Sequence, residues 1–180
     1  MSRIAPLQPP YPPGIQAAFA AIMPPGMPPL ALFTTLARNP RVFARFRAGS
    51  LLGEGTLSLR EREIVIDRTC ARCGSEYEWG VHVALFAAAA GLAPDAVRAT
   101  VRGTADDPAW TSREALLIRL VDALHDTAAI DEELWPALKG EFSDEQLIEL
   151  IVLTGFYHTV SFVTGGLRLP PEPDAARFPA

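Results

Sequence analysis

The sequence predicts an all-α fold, a helical bundle preceded by a proline-rich arm, from three observations. Apolar residues recur at helical spacing from Leu30 onward. No run alternates in the manner of a β-strand between Asn-Gly turns, and the β-branched IVI run at residues 64–66 lies at helical spacing among charged residues. Four segments begin with capping-box spacing: Ser58/Glu61, Ser75/Glu78, Thr111/Glu114 and Ser143/Gln146.

The first element is an N-terminal arm, residues 1–29, which holds nine of the 17 prolines. Proline interrupts helices, so the arm is predicted to be extended, with one short apolar helix at IQAAFAAIM. Residues 30–180 then form a single domain. It begins with two short helices, around LALFTTLA and PRVFARFRAGSLL, which Asn39 and Pro40 separate.

The remaining helices follow from caps and glycines. One helix ends at RTCARC, and the next begins at EYEWGVHVALFAAAA and stops at Gly91. The two cysteines therefore precede this second helix. Four more helices are predicted, at PDAVRATV, SREALLIRLVDALHD, DEELWPALKGEF and DEQLIELIVLTGFYHTVSFVT.

Composition limits the number of domains and the kinds of partner that are expected for this chain. A chain of 180 residues with 49% hydrophobic side chains can fill one core. A net charge of −5 without a basic stripe makes nucleic acid an unexpected partner. The N-terminus carries neither a signal peptide pattern nor a membrane span, and two cysteines do not make a secreted disulfide framework, so a cytoplasmic protein with no membrane partner is expected.

A candidate acid–base group lies on the helix that begins near Ser75. Ser75, Glu78 and His82 share one face, and a carboxylate one turn before an imidazole can orient it and raise its basicity. The structural alternative is that Glu78 completes a cap and His82 is a satisfied core histidine. On the preceding helix Glu63 and Asp67 fall on one side within an apolar run, where a carboxylate is either exposed or directed into a cavity.

These residues carry a resemblance to a known family. The run from Glu63 through SEYEWGVHVALFAAAAGL, together with the tail FSDEQLIELIVLTGFYHTVSFVTGGL, resembles the carboxymuconolactone decarboxylase and alkylhydroperoxidase-D-like superfamily. The resemblance implies a bundle of the alkylhydroperoxidase-D-like type that assembles as a homo-oligomer. It also implies a site near the start of the motif helix and no required metal or cofactor.

The thiol members of this superfamily have a glutamate, then C-x-x-C, then a histidine four residues after the second cysteine. Counted back from His82, that dithiol falls on Ser75 and Glu78. Glu63 stands nineteen residues before the histidine, where the thiol members place a proton-relay glutamate. The resemblance therefore implies that the acid–base part is kept and the dithiol is not.

Cys70 and Cys73 keep the C-x-x-C spelling five residues too early. They are either small buried residues or an independent redox pair, because Arg68 and Arg72 beside them can lower a thiol pKa. No metal site is expected, since neither of the other two histidines forms an obvious ligand pair with the motif histidine.

The leading hypothesis is a cofactor-independent lyase that acts on a small carboxylated lactone or keto acid, with His82 as proton donor, Glu78 as its orienter and Glu63 as a second relay group. A thiol hydroperoxidase that uses Cys70 and Cys73 is the second hypothesis, and a non-catalytic oligomeric binding protein is the third. The aromatics of the motif and the histidine in a polar stripe on the last helix are either packing residues or walls of a substrate site. The candidate substrate-binding residues are Glu76, Tyr77, Trp79 and His158.

The apolar content also predicts self-association. Ile15, Phe19 and Ile22 of the arm can cover either a neighbouring subunit or their own bundle. Gly80 and the alanines after it permit close helix approach, so the motif helix is expected near a subunit interface. Dimer, trimer and hexamer remain open.

Overall fold

A computed structural model describes residues 2–180, and every regular element in that range is an α-helix, as the sequence predicts. The helices are α1 (Pro13–Ala20), α2 (Ala31–Leu36), α3 (Pro40–Ala48), α4 (Leu59–Arg72), α5 (Glu76–Phe86), α6 (Pro94–Arg102), α7 (Ser112–Thr127), α8 (Leu134–Glu141) and α9 (Asp144–Leu167).

Helix α4 lies at the centre of the bundle and packs against α5, α6, α7 and α9. Its neighbours cover it on most sides, so Ile64, Val65 and Ile66 are all fully buried. Three adjacent buried residues need this enclosure, because one face of a helix cannot hold them. The β-branched run is thus the core of a central helix.

Three of the four predicted capping boxes are present, those at Ser58, Thr111 and Ser143. The box at Ser75 is wrong. Its side chain makes no cap hydrogen bond, and its Oγ instead lies 3.0 Å from Oγ1 of Thr164 on α9. Glu78, the other half of the expected box, is directed toward a histidine one turn later.

The arm lies on its own bundle. The Leu7 amide donates to the Thr34 carbonyl at 3.1 Å, and the Arg3 amide donates to the carbonyl of the last residue of α9 at 2.8 Å. The Phe19 side chain is buried, with its ring centroid 5.5 Å from that of Phe43. Of the two arrangements open from the sequence, the structure therefore has the arm covering the same chain.

The C-terminal segment after α9 returns along α5. The Ala176 amide donates to the Gly80 carbonyl at 3.0 Å, and the Phe178 ring lies 5.2 Å from that of Trp79. A Cβ atom at Gly80 would overlap the Ala176 carbonyl oxygen. Gly80 thus permits the close approach of the chain's own C-terminal segment, where the sequence had suggested a neighbouring subunit.

Helix α9 is the one helix within residues 2–180 that is long and apolar enough to span a membrane, with a mean hydropathy of 1.5 over its most apolar window. It packs against α4, α5 and α7 in the bundle. Leu150, Leu153 and Tyr157 on its inner face are buried. This burial is typical of the core helix of a globular bundle.

Candidate functional site

The acid–base residues predicted on α4 and α5 meet in the core. His82 on α5 is 3% exposed, and its Nδ1 lies 2.7 Å from Oε2 of Glu63 on α4. Glu63 itself is 1% exposed, and its other oxygen accepts a hydrogen bond from Arg62 Nε at 3.2 Å. The nineteen-residue separation along the chain thus becomes a direct contact between two packed helices.

The other ring nitrogen of His82 faces two groups. Its Nε2 lies 2.9 Å from the Tyr157 hydroxyl on α9 and 3.5 Å from Oε1 of Glu78. The sequence had suggested Glu78 as the orienter and Glu63 as the more distant relay. The structure gives Glu63 the short contact, because the adjacent helix brings it in line with the ring while Glu78 reaches back along its own helix.

Burial would lower the pKa of His82, but the hydrogen bonds and negative charges of Glu63 and Glu78 raise it to about 10. The ring is therefore an imidazolium at neutral pH. Its Nδ1–H donates to Glu63, and its Nε2–H is held for Tyr157 or Glu78. A buried imidazolium held in this way can act as a proton donor, and the proton on Nε2 faces Tyr157 and Glu78.

Asp67 is a second unusual carboxyl group, one turn after Glu63 on α4. It is 1% exposed, and neither of its oxygens has a hydrogen-bond partner among the described residues. Burial raises the pKa of Asp67 well above its usual range, His82 opposes this shift, and the charge of Glu63 adds to it. Asp67 is thus a buried carboxyl group with a raised pKa beside the pair, an arrangement typical of functional sites.

A cavity of about 400 Å³ opens next to this cluster. Glu78 and Tyr157 line it, while His82 lies behind them. Within residues 2–180, Arg47 on α3 is the one cationic side chain on its wall, and its Nε is buried without a partner. The other lining residues, mostly apolar, are Ala21, Ile22, Leu32, Phe33, Phe46, Ser50, Leu52, Gly53, Phe156 and Val160.

The geometry describes a proton path from the core to this cavity. Glu63 holds one side of the His82 ring, and the opposite side contacts the hydroxyl of Tyr157, a residue that lines the cavity. Glu78 adds a carboxylate on the same wall, and its Oε2 has no hydrogen-bond partner in the described chain. The site can therefore protonate a bound molecule or accept a proton from it.

The two cysteines are free thiols. Cys70 is fully buried, and burial together with the charge of Glu78 raises its pKa well above the usual range. Burial also raises the pKa of Cys73, which is half-buried. The arginine expected to activate them from position 68 is bound to Asp122 at 2.7 Å instead.

Three of the predicted substrate-binding residues lie outside this cavity. Oε1 of Glu76 accepts a hydrogen bond from the Phe178 amide at 3.0 Å, and Trp79 is buried with its Nε1 donating to Thr100 at 2.9 Å. The Tyr77 hydroxyl donates to a glutamate of the C-terminal segment. These three residues hold the C-terminal segment and α6 against α5.

His158 also points away from the cavity, to a second cluster. Its Nε2 lies 3.0 Å from Nδ1 of His125 on α7, and that same nitrogen is 3.9 Å from the Cys73 sulfur. Nδ1 of His158 donates to the backbone carbonyl of Thr154 at 2.9 Å, and Thr154 belongs to the same polar stripe on α9. The polar stripe on α9 thus contributes to inter-helix hydrogen bonding.

Sequence reasoning did not identify Tyr157 or Arg47. Tyr157 lies four residues after a buried leucine on the inner face of α9, which is a detectable signal for burial but not for a contact with His82. Arg47 lies on a short amphipathic helix whose arginines are mostly exposed. Only the folded structure shows that these two side chains line the same cavity.

Comparisons with known proteins agree with this architecture. Residues 38–123, which include Arg47, Glu63, Asp67 and His82, match the profile of the Carboxymuconolactone decarboxylase family. No curated protein sequence matches the chain.

Solved structures share the fold at low identity. An uncharacterised peroxidase-related protein from Silicibacter sp. TM1040 is 20% identical over 99% of this chain and 96% of its own, with a TM-score of 0.84. An uncharacterised peroxidase-related protein from Ralstonia eutropha JMP134, described as having an alkylhydroperoxidase AhpD core, is 18% identical over 95% of this chain and 94% of its own, with a TM-score of 0.77. The debrominase Bmp8, in complex with 2,3,4-tribromopyrrole, is 15% identical over 97% of this chain and 94% of its own, with a TM-score of 0.74. The family match over residues 38–123 and the fold that the whole chain shares with these structures both support a place in the carboxymuconolactone decarboxylase and alkylhydroperoxidase-D-like superfamily.

Proposed function

We propose that the protein is a cofactor-independent lyase that decarboxylates a small carboxylated lactone or keto acid. One observation carries the proposal: a buried His82 imidazolium, held by Glu63, contacts the hydroxyl of Tyr157, and Tyr157 lines a cavity. A decarboxylation without cofactor needs a proton delivered to the carbon that loses carbon dioxide. This cluster supplies that proton.

The reaction breaks the bond between the carboxylate carbon and its neighbour. Carbon dioxide leaves, and the electron pair stays on the substrate as an enolate, delocalised onto the adjacent carbonyl oxygen. Tyr157 then donates its hydroxyl proton to the enolate carbon and is reprotonated from Nε2 of His82. One proton from solvent restores the imidazolium, so one proton is consumed for each carbon dioxide released.

Arg47 supplies the charge that this substrate class requires. Its side chain lines the apolar cavity, and its Nε is buried without a hydrogen-bond partner among the described residues. A substrate carboxylate that is retained through the reaction would form a charge-assisted hydrogen bond there. Such a contact at Arg47 would orient the substrate relative to Tyr157, which lines the same cavity.

The family name supports lyase chemistry, but the structural neighbours include peroxidase-related proteins and a debrominase, so the residues of this chain must distinguish the reactions. The positions of the superfamily dithiol hold Ser75 and Glu78. Burial raises the pKa of both Cys70 and Cys73, which disfavours the thiolate that reduces a peroxide. Both features favour the acid–base reaction.

A screen of carboxylated lactones and β-keto acids for carbon dioxide release tests the proposal. We expect turnover that Tyr157→Phe reduces about a hundredfold or more in kcat, that His82→Gln abolishes, and that Thr159→Ala, an exposed control on the same helix, leaves unchanged. Full turnover in a folded His82→Gln protein would contradict the mechanism. Consumption of hydroperoxide by the wild type, with no decarboxylation, would instead support the thiol route.

Arg47→Met provides a separate test of substrate class. Loss of a hydrogen bond to a charged group should raise KM about tenfold to a hundredfold, with a smaller change in kcat, and Arg47→Lys should recover part of it. The control is Arg45→Met on the same helix, whose side chain is exposed and does not line the cavity. Equal effects of the two methionine substitutions would show that Arg47 does not bind the substrate.

A further inference from the structure

A second cluster of reactive side chains lies apart from the acid–base site. It consists of Cys73, which follows α4, His125 near the end of α7, and His158 in the middle of α9; we call it the Cys73 cluster. Each side chain is half-buried, and the potential ligand atoms all lie within 4.8 Å of one another. The spacing along the chain predicted no metal site, because these residues meet only when three helices pack.

The distances within the Cys73 cluster fit a tetrahedral metal ion. Zinc bonds of about 2.3 Å to sulfur and about 2.0–2.1 Å to nitrogen place two donors roughly 3.6 Å apart for sulfur and nitrogen, and roughly 3.3 Å apart for two nitrogens. The Cys73 sulfur lies 3.9 Å from Nδ1 of His125, and that nitrogen lies 3.0 Å from Nε2 of His158. Shifts of a few tenths of an ångström would bring these two pairs to the zinc distances, and the third pair of ligand atoms lies within 4.8 Å.

The proton positions also favour a ligand between the rings. Nδ1 of His158 is 2.9 Å from the Thr154 carbonyl oxygen, which can only accept, so this nitrogen carries the hydrogen. In the neutral ring the lone pair is then on Nε2, where it accepts a hydrogen bond from Nδ1–H of His125 at 3.0 Å, and a metal ion between the rings would replace that proton. A backbone carbonyl that fixes the tautomer in this way is the usual outer partner of a metal-bound histidine.

The charge around the Cys73 cluster is compatible with a cation. Arg72 lies next to it in sequence, but its guanidinium is 3.6 Å from Asp122 and forms an ion pair with Asp126. The two aspartates thus balance the charge of Arg72 beside the cluster.

We propose that Cys73, His125 and His158 bind one Zn²⁺ ion, with a water molecule at the fourth position. Binding exchanges the Cys73 thiol proton for the metal and leaves both imidazoles neutral, so one proton is released for each ion bound. The site joins the C-terminal end of α4 to α7 and α9. It is independent of the decarboxylase proposal, since it uses none of the residues that line the 400 Å³ cavity.

Zinc titration of the untagged full-length chain, in competition with a chromophoric chelator, tests the proposal. We expect one ion per chain, and a thiolate-to-metal charge-transfer band in the near ultraviolet when Co²⁺ replaces zinc. Cys73→Ser and His158→Gln should each weaken binding by about tenfold or more. Thr159→Ala, next to His158, and Cys70→Ala, the other thiol, should bind as the wild type does, and circular dichroism confirms that each variant is folded.

Alkylation of the wild-type protein gives a second measurement that needs no variant. Cys70 is fully buried, so iodoacetamide under native conditions modifies Cys73. Zinc should slow this modification at least about tenfold, and a chelator should restore it. Binding that is not one to one, affinity that survives both substitutions, or alkylation of Cys73 that zinc does not change would each overturn the proposal.

Discussion

At the residue scale, Asp67 determines part of the pH dependence of stability. Burial raises the pKa of Asp67 in the folded protein, so its proton is retained to higher pH there, whereas the unfolded chain releases that proton above about pH 4. The unfolded state then binds fewer protons than the folded state, so the free energy of unfolding falls as pH rises above 4, by up to about 1.4 kcal/mol for each pH unit.

Asp67→Asn removes this contribution, and we expect its urea unfolding free energy to fall less between about pH 4 and pH 7 than that of the wild type. Asp106→Asn, an exposed aspartate, is the matched control and should follow the wild-type slope. If Asp67→Asn shows the same slope as the wild type, the carboxyl group is ionised in the folded protein and this account of it is wrong.

The residues of the acid–base cluster differ in how far the sequence predicts them. Glu78 and His82 are one turn apart on one helix, so spacing alone places them on one face. Glu63 was identified through the resemblance, and its contact with His82 depends on helix packing. Tyr157 and Arg47 lie on two other helices, α9 and α3. No local sequence pattern predicts that such residues line one cavity.

At the element scale, the fit between α5 and the C-terminal segment depends on Gly80. A methyl group there would meet the backbone carbonyl of Ala176, which cannot move without displacing the whole segment. We expect Gly80→Ala to lower the free energy of unfolding by about 1–3 kcal/mol and to increase the exposure of Trp79 to an acrylamide quencher.

Gly140→Ala on α8 is the matched control for Gly80→Ala. It also places alanine in a helix, but it meets no atom within 4 Å, so it should be neutral or should stabilise the protein by up to about 1 kcal/mol. A Gly80→Ala protein as stable as the Gly140→Ala protein would show that the C-terminal segment does not pack closely on α5.

The helix N-termini show where capping-box patterns in the sequence predict the structure and where they do not. The boxes at Ser58, Thr111 and Ser143 were predictable because a cap is satisfied within four residues. The box at Ser75 does not form because both of its side chains contact residues outside the cap. The Ser75 hydroxyl is hydrogen-bonded to Thr164, and Glu78 faces His82. A capping pattern in the sequence is therefore a poor predictor where the same side chains contact candidate site residues in the folded protein.

At the scale of the whole molecule, the arm forms one wall of the cavity. Ala21 and Ile22 line the cavity, and Phe19 is buried against α3. Deletion of residues 1–28 should therefore lower the melting temperature and increase the solvent exposure of the cavity while leaving the stoichiometry unchanged. A deletion that changes the oligomeric state at constant thermal stability would show that the arm binds a neighbouring subunit.

Self-association, which the sequence predicts, has a candidate surface on α9. Ile148, Val152 and Phe162 on its outer face are 63%, 50% and 70% exposed in the single chain. Apolar exposure of this size favours contact with a second copy, and we propose a homo-oligomer formed through this face. Phe162→Asp should then shift the sedimentation coefficient toward the monomer. A mass near 19.4 kDa for the wild type at micromolar concentration would contradict self-association.

His82 is expected to be an imidazolium that Glu63 keeps protonated, and the ¹⁵N chemical shifts of its two ring nitrogens measure this protonation directly. The chain has three histidines, so ¹⁵N spectra of histidine-labelled protein can be assigned by comparison with His82→Gln. We predict that both nitrogens of His82 remain protonated at about pH 8, that the ring titrates near pH 10, and that Glu63→Gln lowers this pKa by more than about one unit. A His82 ring that titrates near pH 6.5, with no response to Glu63→Gln, would contradict the account.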